Sequence, residues 1–86
     1  MNIRWRGEDV GSYVIESVDM WYLDGLFVPN NTHMAKEFSD LVKSLKYEEV
    51  FLNHNLGILV ELSDDKGLTK ALILGYFGET LGIRII

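Results

Sequence analysis

The sequence predicts an α+β fold in which an antiparallel curved sheet, or half-open barrel of about six strands, packs against one amphipathic helix. Three observations predict it: a terminal β-hairpin over residues 68–86, a helical apolar repeat over about residues 31–46, and β-rich segments on both sides of that repeat. The chain has 86 residues and contains neither a linker nor an internal repeat, so residues 1–86 are predicted to form a single domain around one core.

Three strands are predicted before the helix. Residues 2–6 alternate polar and apolar side chains, and residues 12–23 are rich in β-branched and aromatic residues. The dipeptide Asp24-Gly25 favours a two-residue hairpin turn, so we expect the chain to reverse there. Pro29 ends the third strand because it has no backbone N–H to donate to a ladder.

The helix is predicted from an apolar stripe whose residues recur at intervals of three and four. Asn31 or Thr32 is the expected N-cap, and Lys43 and Lys46 lie favourably at the negative end of the helix dipole. Since the stripe is apolar, we expect this helix to lie against the core face of the sheet. The stripe consists of Met34, Ala35, Phe38, Leu41, Val42 and Leu45.

The last two strands are predicted to meet at Gly78-Glu79, a dipeptide that suits a two-residue turn. Strict alternation of side chains from that turn defines the two faces of the hairpin. The expected core face carries Leu72, Leu74, Tyr76, Leu81, Ile83 and Ile85. The expected outer face, too apolar for ordinary exposure to solvent, carries Ala71, Ile73, Gly75, Phe77, Thr80, Gly82, Arg84 and Ile86.

The segment between the helix and this hairpin leaves two questions open. Residues 47–55 are compatible with a short strand or with a last helical turn followed by a loop. The strand over residues 56–62 joins the next strand through either a three-residue loop with Gly67 in a bulge or a four-residue loop. The four-residue loop pairs Glu61 with Lys70 but exchanges the faces, so consistency of one apolar face favours the three-residue loop.

The composition argues against several classes of function. The formal charge of −5 divides into −3 over residues 1–43 and −2 over residues 44–86, and no basic stripe is present, so nucleic acid is not an expected partner. The absence of cysteine excludes disulfides and thiolate chemistry. The N-terminus lacks the apolar region of a signal peptide and no apolar run reaches membrane-spanning length, so we expect a cytoplasmic protein that does not bind membranes.

One run of residues carries a resemblance to known proteins. An aromatic-x-x-Gly-x-Phe-x-Pro element lies in the run Trp21-Tyr22-Leu23-Asp24-Gly25-Leu26-Phe27-Val28-Pro29. This element, followed by a helix that contains Phe38 and by a terminal β-hairpin, resembles a group of small uncharacterised bacterial α+β proteins. The resemblance covers the central third of the chain and elsewhere only the order of the elements. It implies the same layout, and because that group has no assigned activity, it implies no functional residue.

No catalytic, cofactor-binding or metal-binding residue is predicted, and no cofactor is expected. His33 and His54 are the two histidines, and neither has a second ligand at the spacing that zinc requires. Nucleotide-binding glycine loops and nucleophile motifs are absent. Acidic pairs such as Asp64-Asp65 are adjacent in sequence, so their side chains should diverge within strands or turns.

The leading hypothesis is a non-catalytic protein–protein interaction module. Gly75 and Gly82 are predicted to face each other on the outer face of the last hairpin, which favours either a sharp bend or the close approach of another group. We expect this face to bind another protein, in an immunity- or inhibitor-like role, or a second copy through an open edge of the last strand. The candidate interaction face consists of Ile73, Gly75, Phe77, Gly82, Arg84 and Ile86.

Two alternatives belong to other classes of function. The second hypothesis is a small-ligand cleft lined by Trp5, Trp21 and Tyr22, since tryptophan on an exposed sheet face is favoured at binding sites. The third is an acid–base hydrolase that uses Asp or Glu, and it requires a carboxyl group whose pKa is raised well above its usual value.

Overall fold

The computed structural model describes residues 1–86, which form a closed antiparallel barrel of six strands. In chain order the elements are strands β1 (Asn2–Trp5), β2 (Glu8–Asp19) and β3 (Tyr22–Pro29), helices α1 (His33–Ser44) and α2 (Tyr47–Leu52), a 3-10 turn (His54–Leu56), and strands β4 (Ile58–Asp64), β5 (Gly67–Phe77) and β6 (Thr80–Ile85). The order around the barrel is β1-β2-β3-β6-β5-β4, and β4 returns to β1.

The predicted order of three strands, a helical region and three strands is confirmed, but that region holds two helices where one was expected, and two expectations about the sheet are wrong. The barrel is closed, whereas a curved sheet or half-open barrel was the expectation. The last strand has no open edge, because β6 pairs with both β3 and β5. Self-association through the edge of β6 is therefore excluded.

The barrel interior and α1 share one hydrophobic core. Thr32 caps α1, since its hydroxyl accepts a hydrogen bond from the Ala35 N–H at 3.1 Å. Ala35, Phe38 and Val42 of the apolar stripe are buried, whereas Leu41 is exposed. The Phe38 ring lies 5.5 Å from that of Trp5 and 5.6 Å from that of Phe27, measured between centroids. The prediction that this helix packs on the core face is confirmed, and the helix is shorter than expected at both ends.

The β2–β3 hairpin turns at a different place from the predicted one. Met20-Trp21 joins β2 to β3, and Asp24-Gly25 lies inside β3. A Cβ at position 25 would lie 2.9 Å from Cζ of the buried Tyr13 ring and closer still to a β2 carbonyl. Gly25 is therefore explained by the close approach of β2 and not by a turn.

A bulge in β5 reverses the faces of the last hairpin. The ladder beside the turn is the predicted one, and Gly75 lies opposite Gly82 as expected. The register then shifts by one residue before Gly75, so that Ile73 and not Leu74 lies opposite Ile83. Ile73 is fully buried in the barrel core, which corrects the predicted core face.

The same bulge decides the register between β4 and β5. Glu61 lies opposite Lys70 and Val60 lies opposite Ala71, as the four-residue loop predicts. The favoured three-residue loop with a bulge at Gly67 is wrong. Ala71 faces the barrel interior, so its cross-strand partner Val60 faces the interior too. Leu72 faces outward, and the sequence pattern does not show this because it does not show the bulge.

Residues 47–56 form α2 and the 3-10 turn, so the strand that was considered for residues 47–55 does not exist. Helix α2 packs on the outside of the barrel against β5. Its Val50 is buried together with Leu72 and Leu74 in a second, smaller apolar cluster. This cluster exists because the β5 bulge directs the two leucines outward.

Candidate functional site

The predicted interaction face of the last hairpin is not one surface. Ile73 is buried inside the barrel, which removes it from that face. Gly75 and Gly82 are buried under the segment that leads from α1 into α2. The other members of the face keep some exposure and are Phe77, Arg84 and Ile86.

The two opposed glycines make room for the chain itself. A Cβ on Gly82 would lie 2.5 Å from Cε2 of Tyr47, and a Cβ on Gly75 would lie 3.3 Å from Cβ of Leu45. Gly75 also has a φ of +120°, a backbone conformation that residues with a side chain rarely adopt. Both explanations for these glycines therefore apply, and the group that approaches closely belongs to the same molecule.

The predicted ligand cleft of Trp5, Trp21 and Tyr22 is not assembled. Trp5 is buried in the barrel beside Phe38, whereas Trp21 is exposed in the turn between β2 and β3. Tyr22 is half-buried on the outside of the barrel, where its ring lies 5.3 Å from that of Phe51 in α2. The three aromatic side chains occupy three different environments.

Two acidic side chains, those of Asp9 and Asp64, accept hydrogen bonds that stabilise local structure. Oδ1 of Asp9 accepts hydrogen bonds from the Gly11 N–H at 3.0 Å and from Nδ2 of Asn30 at 3.1 Å. Oδ1 of Asp64 accepts from the Lys66 N–H at 2.8 Å in the turn between β4 and β5. No group of three or more His, Asp or Glu side chains is placed to hold a metal ion.

Tyr13 is a buried hydrogen-bond donor inside the barrel. Its hydroxyl donates to the Leu81 carbonyl at 2.7 Å and so links β2 to β6 across the interior. Burial raises the pKa of Tyr13, and the negative charges of Asp24 and Glu16 raise it further. A tyrosine that stays protonated in this way has a structural role.

The feature that stands out instead is an unpaired stretch of β2. Strand β1 pairs with β2 only as far as Ser12, and the last hydrogen bonds on that side join Met1 to Tyr13. Beyond Tyr13, β2 continues to Asp19 with β3 as its single partner. The barrel is closed along the first half of β2, and the second half is a free strand edge.

We call residues 14–21, which comprise the free half of β2 and the Met20-Trp21 turn, the β2 tip. All of these residues are exposed. Val18 is 62% exposed, Met20 is 81% exposed and Trp21 is 59% exposed. On the outward face Val14 and its cross-strand neighbour Leu26 are exposed, whereas Val18 lies opposite the buried Leu23 and belongs to the other face. Exposed apolar side chains therefore lie on both faces of this end of the hairpin, which makes it a candidate interaction site.

The turn of the β2 tip is strained. Met20 has a φ of +57°, in the left-handed region that glycine and asparagine adopt most easily. Placing a larger side chain there costs roughly 1 kcal/mol. Because the Met20 side chain makes no buried contact, nothing inside the fold offsets this cost. Arg6 in the β1–β2 turn has a similar φ of +52°, so both tight turns of β2 hold a residue with a side chain in this conformation.

One segment of the sequence carries negative charge without any positive charge. Residues 7–35 contain five carboxylates and no Lys or Arg, whereas the rest of the chain contains eight acidic and eight basic residues. Dividing the sequence at residue 43 hides this asymmetry. Glu16 and Asp19 lie in the β2 tip, and Asp24 lies opposite Ser17 beside it. The β2 tip is therefore both apolar and acidic.

A second region is basic but already has contacts within the chain. Arg4, Arg6 and Lys70 border a shallow depression of about 280 Å³. Arg4 donates to a carbonyl of the β1–β2 turn at 2.6 Å, and the Arg6 guanidinium lies 4.3 Å from the centre of the Trp5 ring. Glu61 lies opposite Lys70 in the ladder. Each of the three cations therefore already has a carbonyl, an aromatic ring or a carboxylate of the same chain beside it, so we assign no binding site to this depression.

Comparisons with known proteins add no family to this description. No protein-family model, curated protein or solved structure matches the chain. None of the helices is long and apolar enough to cross a membrane.

Reasoning from the sequence missed the β2 tip because it placed the first turn at Asp24-Gly25. Two signals were nevertheless present. Residues 14–18 combine β-branched side chains with Glu16, which is the pattern of an exposed strand, and no Lys or Arg occurs between Arg6 and Lys36.

Proposed function

We propose that this protein is a non-catalytic module that binds another protein through the β2 tip. The proposal is supported by one conjunction: residues 14–21 combine a free strand edge with an exposed surface that is apolar and acidic. A free edge offers unpaired backbone N–H and C=O groups, and exposed valine, methionine and tryptophan side chains offer contact area. These are the two components of recognition by strand addition.

An immunity- or inhibitor-like role is the form of this proposal that the surface favours. Such a role needs a small domain that presents an exposed segment to the functional site of a second protein. The acidic residues of the β2 tip suit a partner whose own binding surface is basic. We propose that the protein acts in the cytoplasm, a location that is compatible with a chain that contains no cysteine.

Site-specific photo-crosslinking in cells of the native host tests the proposal. A photo-crosslinking residue replaces Val18 in one version of the protein and Phe77 in the other. Phe77 is a suitable control because it is also exposed but lies beside the turn of the last hairpin, at the opposite end of the β3–β6 ladder. We expect one adduct of defined mass from position 18 and none from position 77. Adducts from position 77 alone, or from neither position, contradict the proposal.

A matched pair of variants then shows whether the identified protein depends on this surface. Trp21→Ala is expected to weaken its binding roughly thirtyfold, because removing a large aromatic anchor from an interface costs about 2 kcal/mol. Phe77→Ala, which also removes an exposed aromatic ring, should leave the affinity unchanged. Equal losses in the two variants would show that the adduct does not report a specific interface.

A further inference from the structure

We infer that the segment bound by the β2 tip is an extended, basic strand that adds to the free edge of β2. This inference rests on the proposed function and specifies the chemistry of the partner. Two independent observations carry it. The first is the direction of the backbone groups at Ile15, and the second is the sign of the charge around the edge.

Ile15 presents unpaired backbone groups at the edge. The N–H and C=O of Tyr13 point toward β1, because the N–H donates to the Met1 carbonyl at 2.8 Å and the C=O accepts from the Met1 ammonium at 3.2 Å. Backbone groups alternate between the two sides of a strand, so those of Ile15, two residues later, point the same way. No strand reaches Ile15 on that side. An added strand would continue the ladder that β1 begins.

The carboxylates around this edge select the charge of the added strand. Glu16 and Asp19 are exposed in the β2 tip, and Asp24 borders it. Residues 7–35 contain no Lys or Arg, and the cation next to this end of the hairpin is Arg84 of β6, which lies opposite Tyr22 with its guanidinium 5.8 Å from the centre of the Tyr22 ring. Asp19 and Asp24 lie on the outward face of the hairpin, whereas Ile15 and Val18 lie opposite the buried Gly25 and Leu23 and so belong to the other face. A strand with Lys or Arg at alternate positions would place its cations on the face of these carboxylates and its apolar side chains beside Ile15 and Val18. The surface therefore fits a segment in which basic and apolar residues alternate.

The same carboxylates disfavour a second copy of this chain as the occupant. Pairing two β2 edges would bring Glu16 and Asp19 of one molecule beside those of the other, and like charges in cross-strand positions are destabilising. Charge repulsion therefore opposes self-association through this edge, whereas a basic strand meets no such repulsion.

The test titrates the whole protein with a short peptide that alternates Lys with Val. Fluorescence of the exposed Trp21 reports binding, since Trp5 is buried, and amide hydrogen exchange of Ile15 reports strand addition. We expect saturable binding that weakens as salt is added, with the Ile15 amide exchanging roughly tenfold more slowly in the complex. A peptide that alternates Glu with Val is the charge control and should not bind.

Two pairs of substitutions separate local charge from total charge. Glu16→Gln with Asp19→Asn removes two carboxylates from the β2 tip, and Glu48→Gln with Glu49→Gln removes two exposed carboxylates from α2. The first pair is expected to weaken binding of the Lys-Val peptide by about tenfold, whereas the second should change it by less than about twofold. Equal losses in the two pairs would overturn the inference, because the attraction would then be nonspecific.

Three other outcomes would overturn it. Binding of the Lys-Val peptide without slower exchange at Ile15 would exclude strand addition. Concentration-dependent dimers that protect Ile15 would identify a second copy as the occupant. Failure of the Lys-Val peptide to bind, while position 18 still gives an adduct in cells, would refute the basic strand and leave the proposed function standing.

Discussion

The two long hairpins of the barrel, β2–β3 and β5–β6, are built alike but covered differently. Each has a two-residue turn and a register irregularity, and each directs apolar side chains away from the barrel interior. In β5–β6, α2 covers these side chains and buries Leu72 and Leu74 with Val50. In β2–β3 the corresponding surface, which includes Val14 and Leu26, is exposed.

This difference shows that a short segment is enough to cover an outer apolar surface. Helix α2 has six residues, yet it buries the outward leucines of β5. The same chain leaves the whole β2 tip without cover. The two hairpins therefore differ in cover and not in the presence of outward apolar side chains.

The largest expected effect comes from truncating a leucine on each hairpin. Leu74→Ala should lower the free energy of unfolding by about 2–5 kcal/mol, because Leu74 is buried under α2. Leu26→Ala, the matched change on the exposed hairpin, should cost less than about 1 kcal/mol. Urea denaturation followed by circular dichroism measures both values. Similar losses would mean that the two hairpins do not differ in cover.

The next effect concerns the fit of α2 to the second hairpin. Gly82→Ala places a methyl group against the Tyr47 ring and should destabilise the protein by about 1–3 kcal/mol. Combining it with Tyr47→Ala should cost less than the sum of the two single changes, since the clash is absent once the ring is removed. A double-mutant cycle by chemical denaturation provides the measurement, and strict additivity would show that the ring and the glycine are not in contact.

A smaller effect links the two hairpins through the barrel interior. Tyr13→Phe removes the hydroxyl that donates to Leu81 and should cost about 1 kcal/mol at neutral pH. Because burial raises the pKa of Tyr13, the unfolded chain loses this proton at lower pH than the folded protein does. The contribution of Tyr13 to stability should therefore be constant below about pH 10 and decrease above it, and Tyr47 and Tyr76, whose pKa values burial also raises, act in the same direction. Denaturation curves between neutral pH and about pH 11 should show a shallower fall for Tyr13→Phe; an unchanged slope would contradict the argument.

The smallest effect should be a gain in stability at the exposed hairpin. Met20→Gly relieves the left-handed backbone conformation and should stabilise the protein by up to about 1 kcal/mol. Trp21→Gly, a control at the neighbouring position, offers no such relief and should not stabilise. Thermal denaturation distinguishes the two variants, and a loss of stability with Met20→Gly would show that its side chain makes contacts that support the fold.

The sequence was sufficient wherever structure depends on neighbouring residues. The α1 stripe, the Thr32 cap and the Gly78-Glu79 turn all depend on residues a few positions apart, and the structure confirms them. The prediction of a turn at Asp24-Gly25 was wrong, because close packing of Gly25 against the Tyr13 ring overrides the preference of this dipeptide for turns.

The bulge before Gly75 is the feature whose absence from the predicted fold caused the most errors. Leu72, Ile73 and Leu74 are all apolar, so their sequence does not reveal which of them face the interior. That single omission also gave the wrong register for β4. The β2 tip was hidden for a related reason, since a strand edge is defined by the partners that a strand lacks. Only the acidic character of residues 7–35 was open to simple counting.

The closure of the barrel has a consequence for how the chain assembles. Strands β1–β3 and β4–β6 are two local meanders, and two seams join them, β1 with β4 and β3 with β6. Seam partners such as Asn2 and Ser63, or Tyr22 and Arg84, are about sixty residues apart. Contacts between such distant residues form slowly, whereas each meander pairs neighbours in the chain. We therefore expect each meander to form before the seams, so that the docking of one half of the barrel on the other is the last step of folding.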